Sequence, residues 1–331
     1  MMKISIARFA MGACAVAMLA PAPAKAQLWT WTKDQMVEYT KAWTGERFAD
    51  GRPKVSDSVL QRARGLSQEE ITINWGAATA PPGAPAAAGG RGGGGGGGGF
   101  AGGRGTPYSQ FEGGWQVLHP GKKMVGRAVT CVFMPARADL DAVVTTKAKE
   151  KGINSITNQY CIDQLQPGDV LVVDLLDKKE GGTLVGDNLF YYIQTATKSG
   201  GLVVDGAIRD LEGIGEMDMP AYFRHTHPTA IGGVTLAGVN VPIRIGNVTV
   251  LPGDVVVGDR EGVAFIPPQL ANGVLDRADE THVHDEWTRK KFDEGKYKST
   301  EIYGSPKDPA LQKEYQEYLK KRLEEIRSGK K

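Results

Sequence analysis

One segment, GLVVDGAIRDLEG from Gly201 to Gly213, constrains the fold more than any other part of the chain. Its apolar run Leu202–Val204 is rich in β-branched residues and ends in the turn dipeptide Asp205-Gly206, which predicts a buried strand. Arg209 and Asp210 follow this strand, where α/β folds usually bind ligands. An aspartate there can hold a hard cation and an arginine can bind a carboxylate. The simplest alternative is a surface ion pair of little energetic value.

The first 26 residues have the pattern of a secretory signal peptide. Lys3 and Arg8 provide the positive start, Ala10–Ala22 the short apolar region, and Ala24-Lys25-Ala26 a cleavage site. The apolar region is shorter than the ~20 residues of a membrane span. We therefore expect cleavage after Ala26 and a periplasmic or secreted protein that does not associate with the membrane. A retained anchor and a cytoplasmic protein are the alternatives.

The charge balance of the cleaved chain is close to neutral. Removing residues 1–26 takes away three basic residues and no acidic one, which leaves 37 Lys and Arg against 38 Asp and Glu. This balance argues against a broad nucleic-acid-binding surface. Two cysteines remain, Cys131 and Cys161, both in apolar surroundings. They can form a disulfide in an oxidising compartment or stay as two buried thiols.

Two segments of different composition precede the main body. Residues 27–76 form an N-terminal arm with helical spacing at Asp34–Trp43 and Asp57–Arg64, and Ser56 is a candidate N-cap. Residues 77–107 pass from an Ala/Pro-rich stretch into an arginine followed by eight consecutive glycines. Such a composition predicts a disordered insertion, because it buries too little apolar surface to offset chain entropy. A nucleic-acid-binding RGG tail is the alternative, and the role of the insertion stays open.

The body, residues 108–285, has short strands in its second half and helices in its first half and at its end. Strands are predicted at Gly126–Met134, Val170–Asp174, Leu202–Asp205, Pro220–Arg224, Val241–Ile245, Val248–Leu251, Val255–Gly258 and Val263–Ile266. Helices are predicted at Asp139–Lys151, Leu189–Lys198, 268–284 and 308–327. Two Pro-Gly-Asp turns, Pro167–Asp169 and Pro252–Asp254, lead into strands. The order predicts a layered α/β body and not a doubly wound sheet, with a helical extension over 286–331.

Three pieces of the chain resemble the RraA-like family. They are VGDNLFYYIQTATKSGGLVVDGAIRDLEGI, PGDVVVGDREGVAFIPP and FEGGWQVLHP, all within Phe111–Asp279. The family includes the regulator of ribonuclease activity A and the 4-hydroxy-4-methyl-2-oxoglutarate/4-carboxy-4-hydroxy-2-oxoadipate aldolases. The resemblance implies an α-β-β-α sandwich of the swivelling type, here with N- and C-terminal helical extensions, assembled as a homotrimer or homohexamer.

The resemblance also implies a set of site residues between subunits. Asp210 corresponds to the carboxylate that binds Mg²⁺ or Mn²⁺, and Arg209 to the arginine that binds the substrate. The family loop whose backbone N–H groups meet the substrate carboxylate corresponds to Gly186, Asp187, Asn188 and Leu189. Its acidic residue holds a water near the metal. Because the family spacing to the arginine is about 20 residues, and 21 residues separate Asp187 from Arg209, either Asp187 or Asn188 occupies the acidic position.

These residues imply a metal-dependent carbon–carbon lyase. By resemblance it is a class II pyruvate aldolase or an oxaloacetate decarboxylase that acts on a small 2-oxo acid through a pyruvate enolate, with Arg209, Asp210 and Asp187 as catalytic residues. The alternative is a non-catalytic oligomeric binding or regulatory protein, as the ribonuclease regulator is. That regulator lacks the aspartate of the Arg-Asp pair, so Asp210 favours an enzyme. The physiological substrate stays open.

Four histidines lie in two closely spaced pairs. His225 and His227 alternate on a predicted strand and so share a face, which leaves metal ligation, substrate contact and a structural role open. His282 and His284 lie on a predicted helix, where residues i and i+2 diverge. We expect no shared metal at the second pair.

Overall fold

The computed structural model describes residues 30–72, 110–153 and 157–328. The expected signal peptide (1–26) and the Gly-rich insertion (77–107) lie outside these ranges. Ten α-helices are found in the described ranges, α1 to α10 in order: Lys33–Tyr39, Asp57–Ala63, Gln68–Thr72, Ala138–Glu150, Asn158–Ile162, Asp187–Thr197, Leu211–Gly215, Ala271–Asp293, Ser299–Ile302 and Pro309–Arg327. The strands β1 to β11 are Phe111–Glu112, Gln116–Leu118, Met124–Pro135, Asp169–Thr183, Gly201–Ile208, Ala221–Thr226, Val234–Val239, Ile243–Ile245, Val248–Val250, Val255–Gly258 and Val263–Ile266.

A large mixed sheet organises the body. Its strand order is β1-β11-β10-β3-β4-β5-β6-β2, with β7 paired to β3, while β8 and β9 form a separate hairpin. The pairs β3–β4, β4–β5 and β5–β6 are parallel, and the flanking pairs are antiparallel. The parallel centre places the carboxyl ends of β4, β5 and β6 at one edge. The predicted α/β class is confirmed.

The two faces of the sheet are buried by different elements. One face packs against helices α4 to α7 through a cluster that includes Phe190 and Ile193, and against the arm and α8 through a second cluster. The other face packs against the β8–β9 hairpin. The sheet curls around this second face, because Tyr222 of β6 lies against Gly258 of β10, where a Cβ would meet the ring at 2.7 Å. The centre of the body is therefore apolar on both sides of the parallel strands.

The arm is joined to the body by buried polar contacts. Arg52 places its two terminal nitrogens 2.8 and 3.0 Å from the carboxylate oxygens of Asp169, at the start of β4. Arg62 forms an ion pair with Asp279 of α8. Since both arginines lie outside the body, these contacts fix the arm against the sheet and the long helix.

Several predicted elements differ from the structure in their bounds. The first arm helix ends at Tyr39, short of the expected residue 43, and the helix expected over 268–284 begins at Ala271 and continues to Asp293. This helix crosses residue 285, where the expected body ends. Ser56 occupies the N-cap position of α2 but makes no side-chain cap; its hydroxyl lies 2.8 Å from that of Ser58.

Further differences lie within the body. Strands β1, β2 and β7 and helices α5 and α7 were not predicted, and β4 continues to Thr183, nine residues past its expected end. The extension of β4 depends on an irregularity: Leu176 and Asp177 adopt positive φ angles of 64° and 51°, and the register with β5 shifts between Asp174 and Lys178. A pattern of alternating residues does not reveal such a shift.

The two cysteines are free and fully buried. Burial raises the pKa of the Cys131 thiol, and the neighbouring Cys161 thiol raises it further. Cys131 lies on β3 and Cys161 on α5, and both belong to the same buried apolar cluster. Across the described ranges, none of the helices combines the length and apolarity that a membrane-spanning helix needs.

Candidate active site

The Arg-Asp pair stands at the carboxyl end of β5, as the sequence predicts. All eight residues of β5 are buried, and the strand lies between β4 and β6. Arg209 and Asp210 leave the sheet with side chains that are 34% and 44% exposed. Arg209 Nε donates a hydrogen bond of 3.2 Å to Asp210 Oδ2. The buried, apolar strand β5 thus ends in a charged pair that reaches the surface.

The backbone around Asp210 fixes the direction of its carboxylate. Asp210 has φ 60° and ψ 40°, the left-handed region that aspartate tolerates better than most residues. It precedes α7, and its carbonyl accepts the N–H of Ile214 at 2.9 Å. The N–H of Arg209 donates to the carbonyl of Val185 at 3.1 Å, which joins the pair to the loop before α6.

Gly186 forms the cradle in which the pair sits. It is the N-cap residue of α6, and a Cβ at this position would lie 2.2 Å from Asp210 Oδ2 and 2.9 Å from Arg209 Nε. Both distances are far shorter than a van der Waals contact, so only glycine allows this approach. The structure therefore brings Gly186, Arg209 and Asp210 together.

The next three residues of the loop have different surroundings. Asp187 is half-buried and faces α7, because a Cβ on Gly213 would lie 3.4 Å from the Cβ of Asp187. Its Oδ1 accepts the N–H of Asn188 at 2.7 Å. The side chain of Asn188 is exposed, and Leu189 packs against the core. Of the two candidates for the acidic position, Asp187 is the one whose carboxylate turns toward the helix that follows Asp210.

A network of charges that the sequence reasoning missed lies beside the pair, on the hairpin side of the sheet. Asp205 is buried and accepts a hydrogen bond of 2.9 Å from Arg224 Nε, and the turn predicted at Asp205-Gly206 is wrong because both residues continue β5. Arg224 also pairs with Glu112 at 2.8 Å and stacks on Trp115, 3.7 Å from the ring centre. Asp174 is the register partner of Asp205 on β4.

Burial raises the pKa of Asp174, and the neighbouring carboxylate of Asp205 raises it further. The N–H of Leu176 and the charge of Arg244 oppose this shift. The network had one visible signal in the sequence: Glu112 and Trp115 belong to the FEGGWQ piece. Their partner Arg224 is more than 100 residues away, which no local pattern reveals.

The histidine pairs do not converge on a shared ligand position. His225 Nε2 lies 2.8 Å from Asp177 Oδ1, whereas His227 Nδ1 lies 2.8 Å from the hydroxyl of Thr229. On α8, His282 contacts Glu70 of the arm and His284 contacts the carbonyl of Gly304. Each histidine thus has a structural partner of its own.

The donor set of the site fits a hard cation held by one carboxylate. In the described part of the chain no three His, Cys, Asp or Glu side chains form a metal-binding group. Asp210 is partly exposed, and among the described residues its only ion-pair partner is Arg209. Mg²⁺ commonly binds through one or two carboxylates and keeps several waters, so a cage of protein ligands is not required.

Known proteins resemble the part of the chain that contains this candidate site. The RraA-like model, described as Aldolase/RraA, matches residues 103–265. A protein of Azotobacter vinelandii named "Putative 4-hydroxy-4-methyl-2-oxoglutarate aldolase" is 34% identical over 134 residues, which are 39% of this chain and 76% of that relative. This chain belongs to the RraA-like family. The Arg-Asp pair, its glycine cradle and Asp187 all lie within the matched part of the RraA-like chain.

Two further similarities are to a second relative and to a solved structure. A protein of the same name from Halalkalibacterium halodurans is 33% identical over 123 residues, 37% of this chain, and the chain spans 58% of that relative's length. The crystal structure of RraAS2 from Streptomyces coelicolor, titled an unusual member of the RNase ES inhibitor RraA protein family, superposes with a TM-score of 0.52 at 23% identity. It covers 72% of this chain and 100% of that one, and it supports the RraA-like fold.

Proposed function

We propose that this chain is a divalent-metal-dependent carbon–carbon lyase, an aldolase or decarboxylase that acts on a small 2-oxo acid. The observation that carries the proposal is the Arg209–Asp210 pair pressed into the space that Gly186 leaves at the carboxyl end of β5. A pair that is partly open to solvent, and whose backbone is bonded to Val185 and Ile214, suits the binding of a ligand better than it suits stability.

In this proposal Asp210 holds Mg²⁺ or Mn²⁺. When bound, the cation supplies Lewis-acid stabilisation of the negative charge that develops on the 2-oxo acid as its carbon–carbon bond breaks. Arg209 binds a substrate carboxylate: its Nε is engaged with Asp210, and its two terminal nitrogens make no hydrogen bond to another described residue. Both groups stand on the end of a buried strand, which keeps their geometry fixed.

The loop at the start of α6 completes the proposed site. The N–H of Asn188 is taken by Asp187 Oδ1, so the other N–H groups of the first turn are the ones that can meet a carboxylate at the positive end of the helix dipole. Asp187, half-buried in the first turn, holds or moves the proton that the reaction requires. The side chain of Leu189 packs inward, so its contribution to substrate binding is through the backbone.

The assembly and location of the protein are part of the same proposal. We infer a homotrimer or homohexamer whose neighbouring subunit closes the exposed side of the Arg-Asp pair. We also infer export to the periplasm or the medium after cleavage behind Ala26. Support comes from the partial exposure of the pair in a single chain and from the signal-like start of the sequence.

The test is a turnover assay with oxaloacetate and 4-hydroxy-4-methyl-2-oxoglutarate, with pyruvate release as the readout. The purified protein is assayed with Mg²⁺, with Mn²⁺ and with a chelator. We expect turnover that requires metal and that is lost in Asp210→Asn but kept in Glu216→Ala, an exposed carboxylate at the end of α7. Chelator-insensitive turnover would contradict the metal role, and a folded protein without turnover would favour the non-catalytic alternative.

A further inference from the structure

A second concave site lies at the opposite end of β5 from the Arg-Asp pair. It is a cavity of about 310 Å³, bordered by Gly200 and Pro220, which directly precede β5 and β6. A strand of eight residues separates the two sites by about 25 Å at ~3.3 Å per residue. The volume is at the lower end of the range for pockets that bind small organic ligands.

The cavity has an excess of positive charge. Four cations and a single aspartate line it: Arg64, Lys122, Lys123, Lys198 and Asp218. Lys122 pairs with Asp218, and Lys123 lies 3.3 Å from Asp259 outside the lining. The other two cations have no carboxylate within ion-pair distance in the described part of the chain. The balance leaves two positive charges that are not neutralised.

Arg64 is held in the cavity wall by carbonyl groups alone. Its terminal nitrogens donate to the carbonyls of Lys123, Val125 and Ser199 at 3.3, 3.0 and 2.6 Å. These bonds fix the guanidinium without cancelling its charge. Arg64 comes from the arm, outside the region that the family model matches, so this wall is an addition to the shared domain.

Lys198 occupies a position where glycine would be favoured. It is the C-cap residue of α6 and has φ 59° and ψ −52°, a conformation that costs a side-chain-bearing residue free energy and costs glycine little. A lysine that tolerates this cost while its side chain lines a cationic cavity indicates a role for the ammonium group.

We propose that this cavity binds a small polycarboxylate. Its carboxylates neutralise Lys198 and Arg64, the two lining cations that have no carboxylate partner. Because the guanidinium of Arg64 is already committed to carbonyls, recognition is by charge and size and not by a bidentate clamp. The site is separate from the proposed active site and does not depend on its chemistry.

The test is isothermal titration of the metal-free, full-length protein with citrate, compared with acetate, which carries a single carboxylate. We expect citrate to bind at one site per chain and acetate to bind at least about tenfold more weakly, because it can neutralise only one of the two cations. Sulfate at matched ionic strength is the third ligand. Equal binding of all three would overturn the proposal, because it would indicate only a diffuse positive field.

Two variants and a matched control locate the site. Lys198→Glu reverses the charge in the cavity, and Lys320→Glu makes the same change on the exposed surface of α10. We expect only the first to abolish citrate binding. Lys198→Gly removes the ammonium and relaxes the backbone, so binding is lost while the melting temperature rises. Retained citrate binding in both Lys198 variants would refute the assignment, whatever the outcome of the turnover assay.

Discussion

Charged residues stand at both edges of the parallel sheet, and their surroundings differ. At the carboxyl edge, Arg209 and Asp210 are 34% and 44% exposed and press against a glycine. At the amino edge, Arg52 and Asp169 are 1% and 0% exposed and bond each other through two nitrogens and two oxygens. The first pair is partly open, as our proposal of a ligand site requires, whereas the second fills its own bonding capacity. The exposed fraction of the two side chains, and whether their polar atoms already have partners, therefore distinguish the proposed site from a structural contact between the same residue types.

The amino edge contains a second, internal contrast. The turns Pro167–Asp169 and Pro252–Asp254 have nearly the same geometry, with glycine φ angles of 83° and 89°. Each aspartate accepts a backbone N–H three residues earlier, at 2.9 and 2.8 Å. Asp169 has Arg52 as a partner, but among the described residues no cation pairs with Asp254, and burial raises the pKa of Asp254 to about 7. The same Pro-Gly-Asp turn thus occurs with and without a cation partner for its aspartate, and the arm supplies that partner.

The largest effect is expected for Asp210→Asn. The amide keeps the left-handed backbone and the hydrogen bond from Arg209 but cannot hold a hard cation as a carboxylate does. We expect a loss of about 10³-fold in kcat/KM for a 2-oxo acid, the upper range for removing one charge-stabilising group. Steady-state pyruvate release measures it. The melting temperature should not change, and a large fall in it would place Asp210 with the structural charges of the amino edge.

Arg52→Met should give the complementary result. Removing one member of a buried ion pair leaves Asp169 as an uncompensated buried charge, with an expected loss of about 3–5 kcal/mol in the free energy of unfolding. Denaturant titration measures the loss. The double variant Arg52→Met/Asp169→Asn should recover part of it, because the amide oxygen still accepts the N–H of Gln166. If the double variant were less stable than the single one, the charge would not be the cause.

The strands and the Arg-Asp pair could be predicted because their signals are local. Val255–Gly258 and Val263–Ile266 have the predicted bounds, since each is a buried apolar run between turns. The Arg-Asp pair follows from its place after such a run and from the family resemblance. The β4 extension and β7 could not be predicted in this way. The first depends on a register shift, and the second on pairing with β3 beyond a bulge.

Neither the close contact at Gly186 nor the contact of the arm with the body could be predicted from the sequence. Gly186 was proposed as a substrate-binding backbone, but its close approach to Asp210 depends on how α6 and β5 end beside each other. Arg52 and Asp169 are more than 100 residues apart, and neither stands out in its own segment. Local patterns indicate elements, while contacts between elements decide which charges are free.

Gly186→Ala tests whether the close approach of Gly186 to the Arg-Asp pair is needed for activity, as the pair itself is. The added methyl would lie within 2.2 Å of Asp210 Oδ2, so the carboxylate or the loop must shift. We expect a loss of about 10²-fold in kcat/KM, as for a misplacement of about 1 Å at a reacting group. The control is Gly215→Ala, where an added Cβ meets nothing within 4 Å. Equal activity in the two variants would mean that the site is not held by this contact.

Asp254→Asn tests the difference between the Pro167–Asp169 and Pro252–Asp254 turns and has the smallest expected effect. Because burial raises the pKa of Asp254 to about 7 in the folded protein, above the usual value of about 4 in the unfolded chain, folding favours the protonated carboxyl. Its stabilising contribution is therefore complete below about pH 4 and is lost as the pH rises through about 7. Asparagine can still accept the N–H of Leu251 but does not titrate.

Between pH 4 and pH 8 the free energy of unfolding of the variant should therefore rise relative to that of the parent, by about 1–3 kcal/mol. Urea titrations at both pH values measure this difference. Asp169→Asn serves as the opposite case: its carboxylate forms a buried ion pair with Arg52, so the amide should destabilise the protein at pH 8. Should both substitutions shift stability in the same direction at pH 8, the partner from the arm would not be what separates the two turns.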